Sequence, residues 1–289
     1  MNEFISMDVE TANETFDSIC QIGIAHIVND EIIGTWKSYI NPEEPFSDIN
    51  IIIHGITESD VTNAPKFPDV FNDLIKIFRG LPIVHHSSFD RAAFNQACEK
   101  YGFEIPNINW LDSAKIVRRA WEQFHYRGYG LSNVASFLDI EFKHHDALED
   151  AIAAAKIVIA ACMCKNCNID YWIESVKKRI KTREQNGTGH ISKMEGNPDG
   201  ILFGETVTFT GAMQLKRAEA AQIAAQLGCN VNPGVCKDTT ILVVGTQDIR
   251  MLHGKDKSSK HLKAEELVGK GYDIRIISES DFMKLVRLN

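Results

Sequence analysis

No apolar run in this 289-residue chain approaches the roughly 20 residues needed to cross a bilayer, and no basic segment followed by an apolar stretch opens it. A cytoplasmic protein with no membrane partner is expected. Cysteine is short as well: the 7 present are odd in number and irregularly spaced, which excludes a disulfide framework and fits a reducing compartment. Cys162, Cys164 and Cys167 contain one C-x-x-C, but the second ligand pair that a structural zinc needs does not stand out, and small residues closing a buried helix are the simpler reading. Positive charge is also scarce. With 31 Lys+Arg against 39 Asp+Glu the net charge is −8, which argues against indiscriminate binding to nucleic acid. The deficit is local: residues 1–164 carry 12 basic and 24 acidic side chains, residues 165–195 carry 7 and 4, and residues 196–289 carry 12 and 11. An acidic first part can act on a polyanion only if bound cations neutralise some of its carboxylates, while the basic middle could hold a backbone.

What is present is an ordinary globular composition, 44% apolar and 24% charged, in a chain long enough for two cores. FISMDV, QIGIAHIV and IIGTWKSYI read as strands, PDVFNDLIKIFRG as a helix, PIVHH as a short strand, FDRAAFNQACEKYG as a helix stopped by Gly102, and ALEDAIAAAKIVIAACM as a last long helix. Strands first and strand–helix alternation afterwards indicate a mixed sheet flanked by helices. IDYWIESVKKRIK carries Ile169, Trp172, Ile173, Val176 and Ile180 on one helical stripe, and the Gly-, Asn-, Ser- and Thr-rich TREQNGTGHISKMEGNPDG that follows is the best linker in the sequence. From Gly204 a second alternating pattern, ETVTFTG to ESDFMKLVRL, describes a compact α/β domain with its own core.

The stretch FISMDVE sets Asp8 and Glu10 into the far end of a strand otherwise apolar on both faces. Residues i and i+2 of a strand share a face, so the two carboxylates project side by side, roughly 7 Å apart at the backbone, as suits a hard cation. Chance alone supplies about 5 such acid-x-acid pairs at this composition, so the pair needs company. Asp90 follows a buried strand in the first turn of the next helix, with Ser87 at the spacing of a capping pair. Asp150 lies in the first turns of the long helix, which Asp146 and Glu149 would cap, leaving Asp150 and His145 without a structural task.

Taken together, Asp8-Val9-Glu10, the run from His85 to Asp90, and His145-Asp146-Ala147-Leu148-Glu149-Asp150 resemble the three motifs of the DEDD-type 3′-to-5′ exonucleases. The resemblance is to the histidine subtype, which includes the proofreading subunit of bacterial replicative polymerase. ICQIGIA and HGITESDV fit the same branch, and the likeness covers about residues 1–165. The family usually has Asn where this chain has His86, a departure that touches the loop's hydrogen bonding and not the acids. The resemblance implies a ribonuclease-H-like fold in which Asp8, Glu10, Asp90 and Asp150 hold two divalent cations, Mg²⁺ or Mn²⁺, about 4 Å apart, and His145 acts as general base. By resemblance only, His54 contacts the terminal nucleotide; as a residue it reads equally well as a loop-packing histidine.

The second pattern resembles a BRCT domain of the kind found in bacterial DNA ligase. It does so through VTFTG, Arg217 to Ala220, QLG, TTILVVG, SKHLKAEEL and SESDFMKLV, with Phe282 near where many such domains carry Trp. That resemblance implies binding of 5′-phosphorylated DNA ends or of replication and repair proteins, with Thr210, Gly211, Arg217 and Lys260 matching the phosphate-binding positions. The expectation is a DEDD-type exonuclease domain over 1–165, a basic helix and flexible linker over 166–199, and a small parallel-sheet α/β BRCT domain over 200–289. The whole would be a metal-dependent exonuclease releasing nucleoside monophosphates from DNA. An RNA-trimming exonuclease and a non-catalytic repair scaffold are the alternatives; the BRCT likeness favours DNA, and the intact acids with His145 argue against a scaffold.

Overall fold

The computed structural model describes residues 2–125, 128–178, 193–245 and 257–287. The chain divides into two compact units, Met1–Arg179 and Ile180–Asn289. Arg179, Lys181 and residues through 192 of the linker stretch lie outside the described residues. Among the described residues no helix is long and apolar enough to cross a membrane.

In the first unit, β1 (Glu3–Thr11), β2 (Ile19–Val28) and β3 (Glu31–Tyr39) form an antiparallel meander. Three helices follow, α1 (Asp48–His54), α2 (Glu58–Val61) and α3 (Phe67–Phe78), then β4 (Ile83–His85), α4 (Phe89–Lys100), β5 (Trp110–Asp112), α5 (Ser113–Ala120), α6 (Leu131–Phe137), α7 (Ala147–Lys165) and α8 (Ile169–Ser175). The sheet order is β3-β2-β1-β4-β5, with β4 and β5 parallel to β1, so the expected mixed sheet is present. β1 and β2 are buried along almost their whole length, which is why their alternation is weak and their apolar content high. α7 lies over β1 and β2, its buried side nearly all alanine: Ala147, Ala151, Ala154, Ala155 and Ala161 with Ile157 and Val158. Small side chains let a helix approach a sheet closely.

β1 pairs with β4 only at Ile5 and Ser6. Beyond that point the far half of β1 runs past the end of β4, and the sheet opens a notch beside Met7 to Thr11. The strand-to-helix turn after β4 fills it. His85, fully buried, donates from Nδ1 to the carbonyl of Ser87, which sits at φ 79° in the left-handed region. Such a backbone conformation at a non-glycine residue is held by its surroundings.

α8 is shorter than the apolar stripe through Ile180 suggests. It buries Ile169 and Trp172 in the first unit, the Asn2 side chain accepting from Ile169 N at 2.9 Å. Beyond its end, Arg119 of α5 donates to the carbonyls of Ser175 and Val176.

The second unit is built from β6 (Thr206–Thr210), α9 (Arg217–Gln226), β7 (Asn230–Val231), β8 (Ile241–Val244), α10 (Ser259–Val268), β9 (Arg275–Ser278) and α11 (Glu279–Arg287). Its sheet, β7-β6-β8-β9, is parallel throughout. Phe209 of β6 meets Phe282 of α11 edge-to-face at 5.4 Å, and Phe282 is completely buried.

Candidate active site

Asp8 and Glu10 leave β1 on the face that α7 covers, and Asp150 leaves α7 toward them. One carboxylate oxygen each of Asp8, Glu10 and Asp150 lies within 4.8 Å of the others. Asp8 is 7% exposed and Asp150 4%. Three carboxylates this close, two of them buried and Glu10 half-buried, repel strongly unless a cation sits among them, and an all-oxygen donor set is what hard divalent cations take. The residues therefore fit Mg²⁺ or Mn²⁺.

Asp90, fully buried, is not one of the three acids whose oxygens lie within 4.8 Å; it meets β1 through the backbone. Its Oδ1 accepts from Val9 N at 3.2 Å, so it binds the one amide that lies between the two strand acids. That amide faces the notch left by the short β4. The capping alternative for Asp90 does not hold, because Ser88, not Ser87, occupies the N-cap of α4 and makes no side-chain cap bond.

The α7 end is organised by its own cap. Asp146 accepts from Leu148 N at 3.2 Å and takes Lys37 Nζ at 2.6 Å. Burial alone would raise the Asp146 pKa, but the Lys37 hydrogen bond and charge, with the amides of Leu148 and Glu149, bring it below the ordinary value. Just before the cap, His145 has φ 65° and donates its backbone N–H to Asp150 Oδ2 at 3.1 Å. His144 Nδ1 stands 3.1 and 3.2 Å from the two Asp150 oxygens, and the two imidazoles stack with centroids 3.9 Å apart. His144, His145 and Asp150 offer ligand atoms within 4.8 Å of one another too. The sequence points to His145 at this place, with His144 as the next residue to test, and the fold brings a ligand atom of each within 4.8 Å of Asp150. These two groups are the metal-capable clusters among the described residues, and neither includes Cys162, Cys164 or Cys167.

His86, where an Asn is usual in the family resembled, is tied into the sheet. Ser113 Oγ donates to the His85 carbonyl at 3.0 Å, which uses its single proton, so the 2.7 Å contact between His86 Nδ1 and Ser113 Oγ has the imidazole as donor. His54 is 9% exposed, and both its nitrogens are engaged by backbone. Nδ1 accepts from Ile56 N at 2.9 Å, which leaves Nε2 as donor to Thr11 O at 3.1 Å. Burial holds its pKa below the usual histidine value. Its hydrogen bonds fasten the α1 end to the end of β1, and only ring surface is left for a nucleotide.

In the second unit, Thr210 ends β6, with its Oγ1 2.7 Å from Ser258 Oγ at the N-cap of α10. Arg217, first residue of α9, donates to Gly211 O at 3.0 Å, and Lys260 donates to Phe209 O at 3.0 Å. Burial, and then the nearby Arg217 charge, hold the Lys260 pKa below its ordinary value. The four residues thus gather at one strand end.

Residues 3–158 match the model of the exonuclease family RNase_T. The first part is 31% identical over 161 residues to the PolC-type DNA polymerase III of Caldanaerobacter subterraneus subsp. tengcongensis, and 28% identical over 159 residues to that of Oceanobacillus iheyensis. Each alignment covers 54% of this chain and 11% of the relative, so the chain spans about a tenth of the polymerases it matches. Among solved structures, a 3′-exonuclease recognising the 3′ end of a histone mRNA stem-loop has the same fold. It superposes with a TM-score of 0.50 at 20% identity, covering 57% of this chain and 65% of that one.

Proposed function

The chain belongs to the exonuclease family, and from that premise we propose that its first unit is a 3′-to-5′ exodeoxyribonuclease that releases nucleoside monophosphates one at a time. The observation that carries the reading is the convergence of Asp8, Glu10 and Asp150 within 4.8 Å, with Asp90 bonded to the amide between the first two. These four acids would hold two ions, Mg²⁺ or Mn²⁺. When bound, the ions supply Lewis-acid stabilisation of the attacking and leaving oxygens of a phosphodiester. The protein fixes the acids on strand and helix backbone and keeps them from collapsing onto one another. His145 removes the proton of the attacking water, whose oxygen bonds to phosphorus as the bond from phosphorus to the 3′ oxygen of the preceding nucleotide breaks, and that oxygen takes a proton from solvent to become a new 3′ hydroxyl. His144, bonded to the Asp150 carboxylate, orients that acid and is a second candidate for the base.

The second unit is read as a BRCT domain that takes the protein to 5′-phosphorylated ends, nicks or a replication or repair partner. Support comes from the parallel sheet and from the like charges of Arg217 and Lys260 brought to one strand end beside Thr210 and Gly211, an arrangement that an anion would relieve. Domain bounds of 1–165, 166–199 and 200–289 go with this reading.

The test is degradation of 5′-labelled single-stranded DNA, nicked duplex and RNA, each with Mg²⁺ or Mn²⁺. A ladder shortening from the 3′ end of DNA, with mononucleotide release, is expected. Release from the 5′ end, or a preference for RNA, overturns the assignment.

A further inference from the structure

Asp8 and Glu10 are fixed by β1, but Asp150 rides on α7, so the shape of the acid cluster depends on where the first turn of that helix sits. The sheet register shows what sets it. Across β1, β2 and β3 one row reads Asp8, Gly23, Lys37 and a second reads Glu10, Gln21, Tyr39. Directly opposed residues of antiparallel neighbours project to the same face, so Gln21 and Gly23 emerge beside the two strand acids, under α7.

Gln21 is 2% exposed, and its Oε1 accepts from Ala147 N at 2.8 Å. That amide belongs to the first helical residue, one of those a helix start leaves without an intrahelical partner; Asp146 serves the next one, at Leu148. Gly23 is the floor on which the turn rests. A Cβ there would stand 2.2 Å from Ala147 C and from Leu148 N, a distance that no side chain can occupy without displacing helix backbone. Lys37, opposite Gly23, holds Asp146 from the outer strand. The helix start is therefore held at two consecutive residues, Asp146 and Ala147, by the Lys37 and Gln21 side chains of the same two rows that present the acids, and rests on the bare Gly23 backbone between them.

We infer that Gln21 is a positioning residue of the acid cluster: by accepting the Ala147 N–H over the bare Gly23 backbone it sets how close Asp150 comes to Asp8 and Glu10, and so how tightly the cluster binds a divalent cation. The link to hydrolysis rests on the exonuclease reading; the link to metal affinity does not. Hydrogen-bond partners of metal ligands are worth about 10- to 100-fold in metal affinity, and Gln21, which acts on Asp150 through the helix start, belongs at the lower end of that range.

The experiment is calorimetric titration of the full chain with Mn²⁺ alone, for wild type, Gln21→Met, Gln21→Asn and Gln21→Glu, alongside kcat and KM on a short single strand. Met keeps the length and removes the acceptor, Asn keeps an acceptor that falls one methylene short, and Glu keeps an acceptor at full reach. Expected are Mn²⁺ dissociation constants raised about 10-fold or more in the Met and Asn variants, with kcat lowered at limiting metal and KM for DNA within about twofold of wild type, and recovery in the Glu variant. If the Met variant does not fold, the Asn variant decides. Wild-type Mn²⁺ affinity in a folded Met or Asn variant, a Glu variant no better than Met, or a wild type that binds no Mn²⁺ overturns the inference. A wild type that binds Mn²⁺ and hydrolyses no nucleic acid overturns the exonuclease reading and leaves the positioning result standing.

Discussion

His144 and Asp150 face each other at 3.1 Å, with the imidazole Nδ1 nearly equidistant from both carboxylate oxygens, while the next residue, His145, reaches the same carboxylate through its backbone N–H. Adjacent histidines thus divide one acid between a ring and an amide. His145→Ala keeps that amide and loses the proposed base, so kcat should fall by about 10² to 10⁴-fold without unfolding. His144→Ala loses the ring contact to an acid of the proposed metal site and should raise the Mg²⁺ concentration for half-maximal rate. Single-turnover rates across a Mg²⁺ series separate the two. A larger loss of rate from His144→Ala at saturating Mg²⁺ would transfer the base to that residue.

Asp8→Asn and Asp150→Asn should abolish hydrolysis, and a chelator should do the same to wild type. The metal-free variants should melt at or above the wild-type temperature, because each removes a buried charge from a cluster of three like charges. Mg²⁺ should then raise the Tm of wild type and not of the variants, since a ligand stabilises only the state that binds it. Thermal melts with Mg²⁺ and with chelator check both statements; a Mg²⁺ shift preserved in both variants would place the ion elsewhere.

His54 and His85 are buried, and burial holds both pKa values below the ordinary 6.5; for His85 the field of Asp112 offsets part of the effect. A base with a depressed folded pKa binds fewer protons folded than unfolded in that window. Its stabilisation is therefore complete above the unfolded value and is lost as pH falls below about 6.5. Urea midpoints of wild type should drop between pH 7.5 and 5.5, and His54→Gln and His85→Gln should each flatten that slope under the same buffer and metal.

Replacing Arg217 and Lys260 together by Met should weaken binding of the full chain to duplex ends with a 5′ phosphate and flatten its salt dependence, because fewer counterions are released. Hydrolysis of short single strands should be unchanged. Equal binding of phosphorylated and unphosphorylated ends by wild type would turn the search toward a protein partner.

Much of the site is legible in the sequence because backbone period decides it: Asp8 and Glu10 share a face by the strand repeat, and Asp150 stands one turn past a readable N-cap. What orders Asp90 is not legible. Capping spacing with Ser87 offered it an ordinary task, and only the short pairing of β4 with β1 reveals the amide it binds instead. Gln21 was visible merely as a polar residue in an apolar strand, since its partner, the Ala147 amide, lies 126 residues on. β5 and α5 are not legible in the sequence because WLD is too short to show alternation, and Asp112, which caps α5 by accepting from Ala114 N, closes the strand as it opens the helix. His54 read equally well two ways until the backbone partners of both nitrogens were in view.

The acids come from the first strand, the fourth helix and the seventh helix of the first unit. No local fragment holds more than two of them, and those two cannot close on a cation without α7 above them. A growing chain therefore reaches about half of its 289 residues, the α7 start at Ala147, before Asp8 and Glu10 can meet Asp150. Contacts between such distant segments form late and slowly, because loop closure must precede them. Assembly of the acid cluster thus reports on finished folding: in a copy that lacks the α7 start, Asp150 is absent from the place where Asp8 and Glu10 wait for it.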